Sequence, residues 1–338
     1  MTIEERPDLV AGPGEVIVEV ARCGICGSDV QAYLTGKGIR PGTVMGHECV
    51  GTVVRTGSEM RTFKVGDRVA VKPMVECGIC HFCRRYQFSI CPQALKNGLG
   101  LSPEADGAYA SHIKIPWPDK MLFPLPDNIS FDDGVFIEPL ATSLHGVRLS
   151  KLKMGDNAVV IGAGTIGLGV IQFLRRGGAS KIIVVEPSPV KRNLALQLKA
   201  DAALDPHQEQ DNLQSRVLEM TEGLGAEMVF ECAGAPQAIQ VSYRLVKRGG
   251  QVLLIGVNHG DVSIQPFILT IKEIELKGVF GYGDEFSTVI DFMQQKRIDS
   301  APMLTDVIPL DCIESDGFQR LTRKMDLIKV VVRPNGSI

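Results

Sequence analysis

The stretch Asn157–Glu186, N-A-V-V-I-G-A-G-T-I-G-L-G-V-I-Q-F-L-R-R-G-G-A-S-K-I-I-V-V-E, decides the fold. It reads as a buried strand over Asn157–Ile161, a helix over Thr165–Arg176 and a second buried strand over Lys181–Val185. Buried strands alternating with helices imply a parallel sheet with right-handed crossovers. Between the first strand and the helix lie Gly162, Gly164 and Gly167. The first glycine makes a tight turn, the second lets backbone approach a pyrophosphate, and the third allows close helix–strand packing. The helix N-terminus adds amide donors and positive dipole for phosphate. Glu186 closes the second strand, where a carboxylate can hold an adenosine ribose diol. Glycines alone would serve any turn, but in this context they define a dinucleotide site. Glu186 would repel a ribose 2′-phosphate, so NAD is expected over NADP. Lys191 could touch the ribose, and Arg192 reads as a solvated cation on a helix face.

The same alternation continues downstream, with a helix over Val190–Lys199, a strand over Met228–Glu231, a helix over Pro236–Val246 and a strand over Gln251–Ile255. Beyond Lys277 the pattern predicts a strand, a helix over Glu285–Gln295 and a last strand over Ile328–Val332. Before about Leu140 the texture differs. Short β-branched runs at Val16–Val20, Cys49–Val54, Arg68–Val71 and Tyr109–Ile115 are punctuated by Gly and Pro, which predicts an antiparallel, barrel-like β domain. At 338 residues, two domains are the natural expectation. A net charge of −3 with no basic run argues against nucleic acid and anionic membrane surfaces as partners. No apolar segment reaches membrane-spanning length, and the N-terminus lacks the features of a signal peptide. Nine cysteines without an export signal imply reduced thiols and a cytoplasmic protein.

Residues 77–91 read C-G-I-C-H-F-C-R-R-Y-Q-F-S-I-C. Such closely repeated spacings suit a metal better than disulfide bridges, and Cys77, Cys80, Cys83 and Cys91 can supply four thiolates to a tetrahedral zinc. A closed thiolate shell leaves no open position, so this site is structural. A third constellation is dispersed: Cys26 and Ser28 in C-G-I-C-G-S-D, His47 and Glu48 in M-G-H-E, and Glu138 in I-E-P-L. A catalytic zinc takes about three protein ligands and keeps one position open. Cys26 and His47 supply two, and Glu48 or Glu138 the third. Taken singly, each also has a plain structural reading: a small buried Cys, a satisfied core His, a Glu packed before a Pro turn.

Together these residues make the chain resemble the zinc-dependent medium-chain alcohol dehydrogenases over essentially its full length. The resemblance rests on C-G-I-C-G-S-D at 23–29, G-H-E at 46–48, G-D-R-V at 66–69, the four-cysteine lobe, E-P-L-A at 138–141 and the glycine loop. It implies an α/β protein: a GroES-like β-rich catalytic domain over 1–139 and 279–338, with the lobe at 77–91, and a Rossmann-type cofactor domain over 140–278. It further implies two zinc ions per chain, a homodimer or homotetramer, and a small alcohol or ketone substrate. The expected reaction is reversible oxidation of a secondary alcohol, with Ser28 accepting the hydroxyl proton and hydride passing to NAD. Glu48 and Glu138 would exchange at the catalytic zinc, and backbone at Ile166, Ile255, Gly256, Val257, Phe280 and Tyr282 would complete the cofactor pocket.

Glu138 and C-G-S-D point to the polyol and 2,3-butanediol branch. Three departures stand out. The family's opening strand is missing, on the order of ten residues, which would leave a partner strand with an open edge. Gln31 occupies a position where a relay histidine is common. Sorbitol dehydrogenases carry Phe-Arg-Tyr where this chain has Phe280-Gly281-Tyr282, which removes a hydroxyl-binding donor. An L-threonine-type amino-alcohol dehydrogenase and a metal-independent quinone-reductase or crystallin-like protein are the alternatives. Because closed tetrathiolate sites contribute folding energy, Cys83→Ser is expected to lower both melting temperature and bound zinc. An unchanged melt with unchanged zinc would refute the structural-zinc reading.

Overall fold

A computed structural model describes residues 1–209 and 212–336 of the chain; positions 337 and 338 of the expected C-terminal return lie outside the described residues. The fold divides into two compact units, one comprising Met1–Glu138 with Tyr282 onward, the other Pro139–Gly281.

The first unit is built from β1 (Val16–Gly24), β2 (Glu48–Thr56), β3 (Arg68–Val71), β4 (His112–Ile115) and β5 (Leu122–Pro124). β1 is the hub. It runs antiparallel to β2 with Cys23 opposite Cys49 and Gly24 opposite Glu48, and its other edge pairs with β4 over Val16–Glu19. Inward-facing Val16, Val18, Val20, Val53, Val69, Ile113 and Ile115 form the centre of its core.

The second unit contains β6 (Asn157–Ile161), β7 (Lys181–Val185), β8 (Ala202–Leu204), β9 (Ala226–Glu231), β10 (Val246–Leu254) and β11 (Glu275–Gly278). They form a parallel sheet in the order β11-β10-β9-β6-β7-β8. The chain therefore winds outward from β6 in one direction, then returns beside it at β9 and winds outward in the other. That reversal opens a crevice at the carboxyl ends of β6 and β9, which is where doubly wound sheets bind ligands. Val159, Ile161, Ile183, Val185, Val229 and Val252 are buried together between the layers. The two remaining strands, β12 (Leu304–Pro309) and β13 (Lys329–Arg333), belong to the first unit's sheet, in which β13 pairs with β1 at Cys23 and Gly24.

Several expectations are corrected in detail. The strand expected beyond Lys277 is β11 at Glu275–Gly278, an edge strand whose Glu275 and Lys277 masked its pattern. β10 begins at Val246 rather than Gln251, with a register shift between the two. β4 begins only at His112. The first sheet is not wholly antiparallel, because β12 and β13 run parallel. Residues 1–15 form no strand. Among the described residues no helix is long and apolar enough to cross a membrane.

The glycine loop after β6 is where backbone geometry is most demanding. Gly162 has φ 92°, and a Cβ on Gly167 would lie 1.9 Å from the Gly162 carbonyl oxygen. That clash is backbone on backbone, so a side chain cannot swing away from it. Gly167→Ala is expected to lower stability by about 1–3 kcal/mol, read as a lowered urea midpoint; an unchanged midpoint would mean the turn is looser than described.

Candidate metal centre and nucleotide loop

The exit of β1 and the entrance of β2 are antiparallel neighbours, so residues just beyond Gly24 and just before Glu48 are brought side by side. The sulfur of Cys26, a ring nitrogen of His47 and a carboxylate oxygen of Glu48 all lie within 4.8 Å of one another. One sulfur, one nitrogen and one oxygen are a donor set that zinc accepts while keeping a position open. His47 is buried, and its Nδ1 faces Asp29 Oδ1 at 3.4 Å, which leaves Nε2 available to a cation. Asp29 Oδ2 in turn accepts from the Cys26 backbone N–H at 3.0 Å and from the Tyr109 hydroxyl at 2.7 Å. Burial works to raise the Asp29 carboxyl, but His47 and these two donors hold it below the ordinary carboxylate range. Partners of this kind fix the orientation of metal-binding histidines.

Glu48 has a partner that sequence reading missed. Lys329, the first residue of β13, donates to its Oε1 at 2.8 Å, to its Oε2 at 2.5 Å and to the Ile25 carbonyl at 3.1 Å. Both side chains are almost wholly enclosed, at 3% and 1% exposure, so the pair is a buried ion pair rather than a surface contact. Burial alone would lower the lysine, but Glu48 outweighs it and keeps the ammonium charged. The signal was present in the sequence: a lone Lys at the start of an apolar β run is a candidate buried cation.

Glu138, in the helix Ile137–Leu149, stands apart from the three-donor cluster. Its carboxyl is pushed up to about 7, chiefly by burial and further by Glu48, against the pull of His47. The Tyr282 hydroxyl is enclosed in the same unit beside Glu138, and burial, then that carboxyl, raise its pKa well above the phenol range. Ser28 lies half-buried in the first turn after Cys26.

In the lobe, the four thiol sulfurs also lie within 4.8 Å of one another. Cys80 and Cys83 are 3.5 Å apart, Cys80 and Cys91 3.9 Å, and Cys77 and Cys83 4.0 Å. A zinc–sulfur tetrahedron at about 2.3 Å has edges of about 3.8 Å, whereas a disulfide needs about 2.05 Å. The spacing fits a metal. Backbone N–H groups of Ile79 and Cys80 lower the Cys77 thiol to about 6, and burial raises Cys83 to about 12.

The second unit collects its expected residues at strand ends. Gly164 is the N-cap of the helix Thr165–Arg176, and a Cβ there would meet nothing within 4 Å. Open space at the N-terminal end of a helix suits a diphosphate. Glu186 is buried, its Oε2 accepting from the Ala163 N–H at 2.8 Å and its Oε1 from the Ser188 N–H at 2.9 Å. The carboxylate is thus bolted to the glycine loop. Ile255 is buried, Gly256 abuts Gly234 so closely that a Cβ would come within 2.1 Å of its nitrogen, and Val257 and Phe280 are exposed. The Ile166 carbonyl is occupied by the Ser143 hydroxyl at 3.0 Å. Lys191 lies in the first turn of the helix Pro189–Gln197, its N–H donating to the capping Ser188 Oγ at 3.3 Å. Arg192 is not the solvated cation expected. Its Nη1 folds back onto the carbonyls of Glu186 and Pro187 at 2.8 and 2.7 Å and pairs with Asp205 at 3.0 Å.

A doubly wound sheet with a carboxylate-anchored glycine loop, joined in one chain to a β-rich unit bearing two cysteine-containing donor clusters, defines a zinc-type dehydrogenase. Residues 12–127 match the alcohol dehydrogenase GroES-like domain and residues 165–295 the zinc-binding dehydrogenase domain. The chain is 33% identical to (R,R)-butanediol dehydrogenase of Bacillus subtilis, covering 98% of this chain and 96% of that one. It superposes on the crystal structure of that protein with a TM-score of 0.88 over 99% and 96% of the two chains. It is 30% identical to sorbitol dehydrogenase of B. subtilis over 98% and 94%. A zinc-binding dehydrogenase of Sinorhizobium meliloti solved with NADP is 30% identical, with a TM-score of 0.86 over 96% and 94%. The chain belongs to the zinc-type, medium-chain alcohol dehydrogenase family, in the company of its polyol and diol dehydrogenases, and is an oxidoreductase of CH–OH groups.

Removing one partner of a buried ion pair strands the other charge. Lys329→Met is therefore expected to destabilise the protein by about 3–5 kcal/mol, with much of the loss restored in Lys329→Met/Glu48→Gln. Equal urea midpoints for wild type and the single variant would show that the pair contributes nothing.

Proposed function

We propose that the chain is an NAD-dependent dehydrogenase of secondary alcohols of the polyol or diol class, holding one catalytic and one structural zinc. The observation that carries this reading is the convergence of Cys26, His47 and Glu48 in a chain that also has a carboxylate-anchored glycine loop. When bound, zinc supplies a Lewis acid that lowers the pKa of a substrate hydroxyl, and nicotinamide supplies the hydride acceptor. Cys26, His47 and Glu48 would hold the catalytic ion, with Asp29 and Tyr109 fixing the histidine ring. Cys77, Cys80, Cys83 and Cys91 would hold the structural one.

Ser28, in the turn that follows Cys26, would relay the substrate hydroxyl proton, accepting it on Oγ as its own hydroxyl proton passes toward the cofactor ribose and solvent. Gln31, exposed on the same helix, cannot titrate near neutrality, so no side chain at that position buffers the proton on its way out. Glu138 and Tyr282 supply a buried acid and a buried hydroxyl to the first unit's interior. Gly281 offers no donor to a long polyol, which favours short diols over sorbitol. Glu186 binds the adenosine ribose diol and disfavours a 2′-phosphate. With nine cysteines, all unbridged, the chain suits a reducing, cytoplasmic environment.

Cys26→Ala is expected to lower kcat/KM at least about 100-fold, beyond what loss of a merely orienting residue does. Bound zinc should fall from two to one per chain while NAD still binds. Retained activity, or unchanged metal content, would defeat the assignment. A screen across diols, polyols, amino alcohols and simple secondary alcohols fixes the substrate.

A further inference from the structure

Cofactor choice in this chain involves a second carboxylate. Glu186 directly follows β7, whose neighbour in the sheet is β8, followed in turn by Asp205; the Glu186 N–H donates to the Leu204 carbonyl at 3.0 Å. The two strand ends are thus laced together, and between them lies the Arg192 guanidinium. Its Nη1 is held by the carbonyls of Glu186 and Pro187 and by Asp205 Oδ2 at 3.0 Å. The arginine and aspartate side chains are only 16% and 13% exposed, so the pairing is sheltered from solvent. Asp205 is itself fixed, its Oδ1 accepting from the His207 N–H at 2.9 Å.

We propose that Asp205 is a cofactor-specificity residue: by clamping Arg192 against the turn after β7, it withholds the cation that could otherwise receive a ribose 2′-phosphate. This rests on reading Glu186 as the ribose site. Glu186 and Asp205 then present two carboxylates to that corner, and Arg192, one of the cations beside them, is already engaged. Removing Glu186 alone abolishes the repulsion but leaves Arg192 tied to Asp205. Removing Asp205 alone breaks the ion pair, leaving the guanidinium on two backbone carbonyls, but keeps the Glu186 carboxylate facing the phosphate. Only the double change presents an unopposed cation, so the two substitutions should be strongly non-additive.

Binding of 5′-AMP and 2′,5′-ADP by calorimetry tests this without hydride transfer or catalytic metal. The proteins are wild type, Glu186→Ser, Asp205→Asn, the double variant, and the double variant carrying Arg192→Gln. Asp205→Asn alone should bind 5′-AMP like wild type. The double variant should bind 2′,5′-ADP at least about tenfold more tightly than Glu186→Ser does, the worth of one charge-assisted hydrogen bond. Adding Arg192→Gln should erase that gain. If Glu186→Ser alone binds 2′,5′-ADP as tightly as the double variant, Lys191 or the lost repulsion governs the site and the inference falls. A gain that survives Arg192→Gln overturns it equally. Should wild type bind neither nucleotide, the dinucleotide reading itself fails, and this inference with it.

Discussion

A carboxylate enclosed in protein must be met by a cation or by hydrogen-bond donors, because desolvating a lone charge costs several kcal/mol. Glu48 is met by Lys329, and through that contact three separate pieces of chain are held at one point. β2 supplies the carboxylate, β13 supplies the ammonium, and the same ammonium reaches the Ile25 carbonyl, one residue before Cys26. The donor cluster is therefore positioned by charge as well as by strand register. The pair also bears on the chemistry, since an oxygen shared with a lysine is a weaker metal donor than a lone carboxylate.

The second unit answers the same problem differently. Glu186 and Glu231 both end parallel strands, and neither relies on a salt bridge. Glu186 accepts from backbone N–H groups on each oxygen. Glu231 accepts from Ala233 and Gly234 on Oε1 alone, its Oε2 buried without a partner. Burial accordingly raises the Glu231 carboxyl, against the pull of those two amides. Strand ends in a parallel sheet present amides that have run out of ladder partners, and carboxylates are natural occupants. In the first unit, where the strands around the donor cluster are antiparallel, the compensating group has to arrive as a side chain.

This difference explains what could be read from sequence and what could not. The glycine loop, Glu186 and the four-cysteine lobe are local: their partners lie within one turn or one strand–helix unit, so spacing carries the information. Cys26, His47 and Glu48 were legible as a mixed sulfur, nitrogen and oxygen donor set and through the family resemblance, and the fold brings them together by setting the exit of β1 beside the entrance of β2. Lys329 lies 281 positions from Glu48, and Tyr109 lies 80 positions from Asp29. No spacing rule spans such gaps. Glu48 and Glu138 had equal standing on composition, and only the fold separates them. Arg192 was misread for another reason: helical periodicity gives the face a residue occupies, not whether a long side chain folds back on its own turn. β8 and β12 escaped notice because one has three residues and the other mixes Thr305 and Asp306 into a half-exposed run.

The two units also differ in how their chain is laid down. Pro139–Gly281 is contiguous, whereas the first unit is split, with β13 arriving from the far end of the sequence. During synthesis from the N-terminus, the doubly wound unit has every strand it needs before β12 and β13 have emerged. Cys26, His47 and Glu48 are translated early and wait, with Glu48 lacking its cation, until Lys329 leaves the ribosome. The order of synthesis thus makes the doubly wound unit the elder of the two, with the Glu48–Lys329 pair forming only after it.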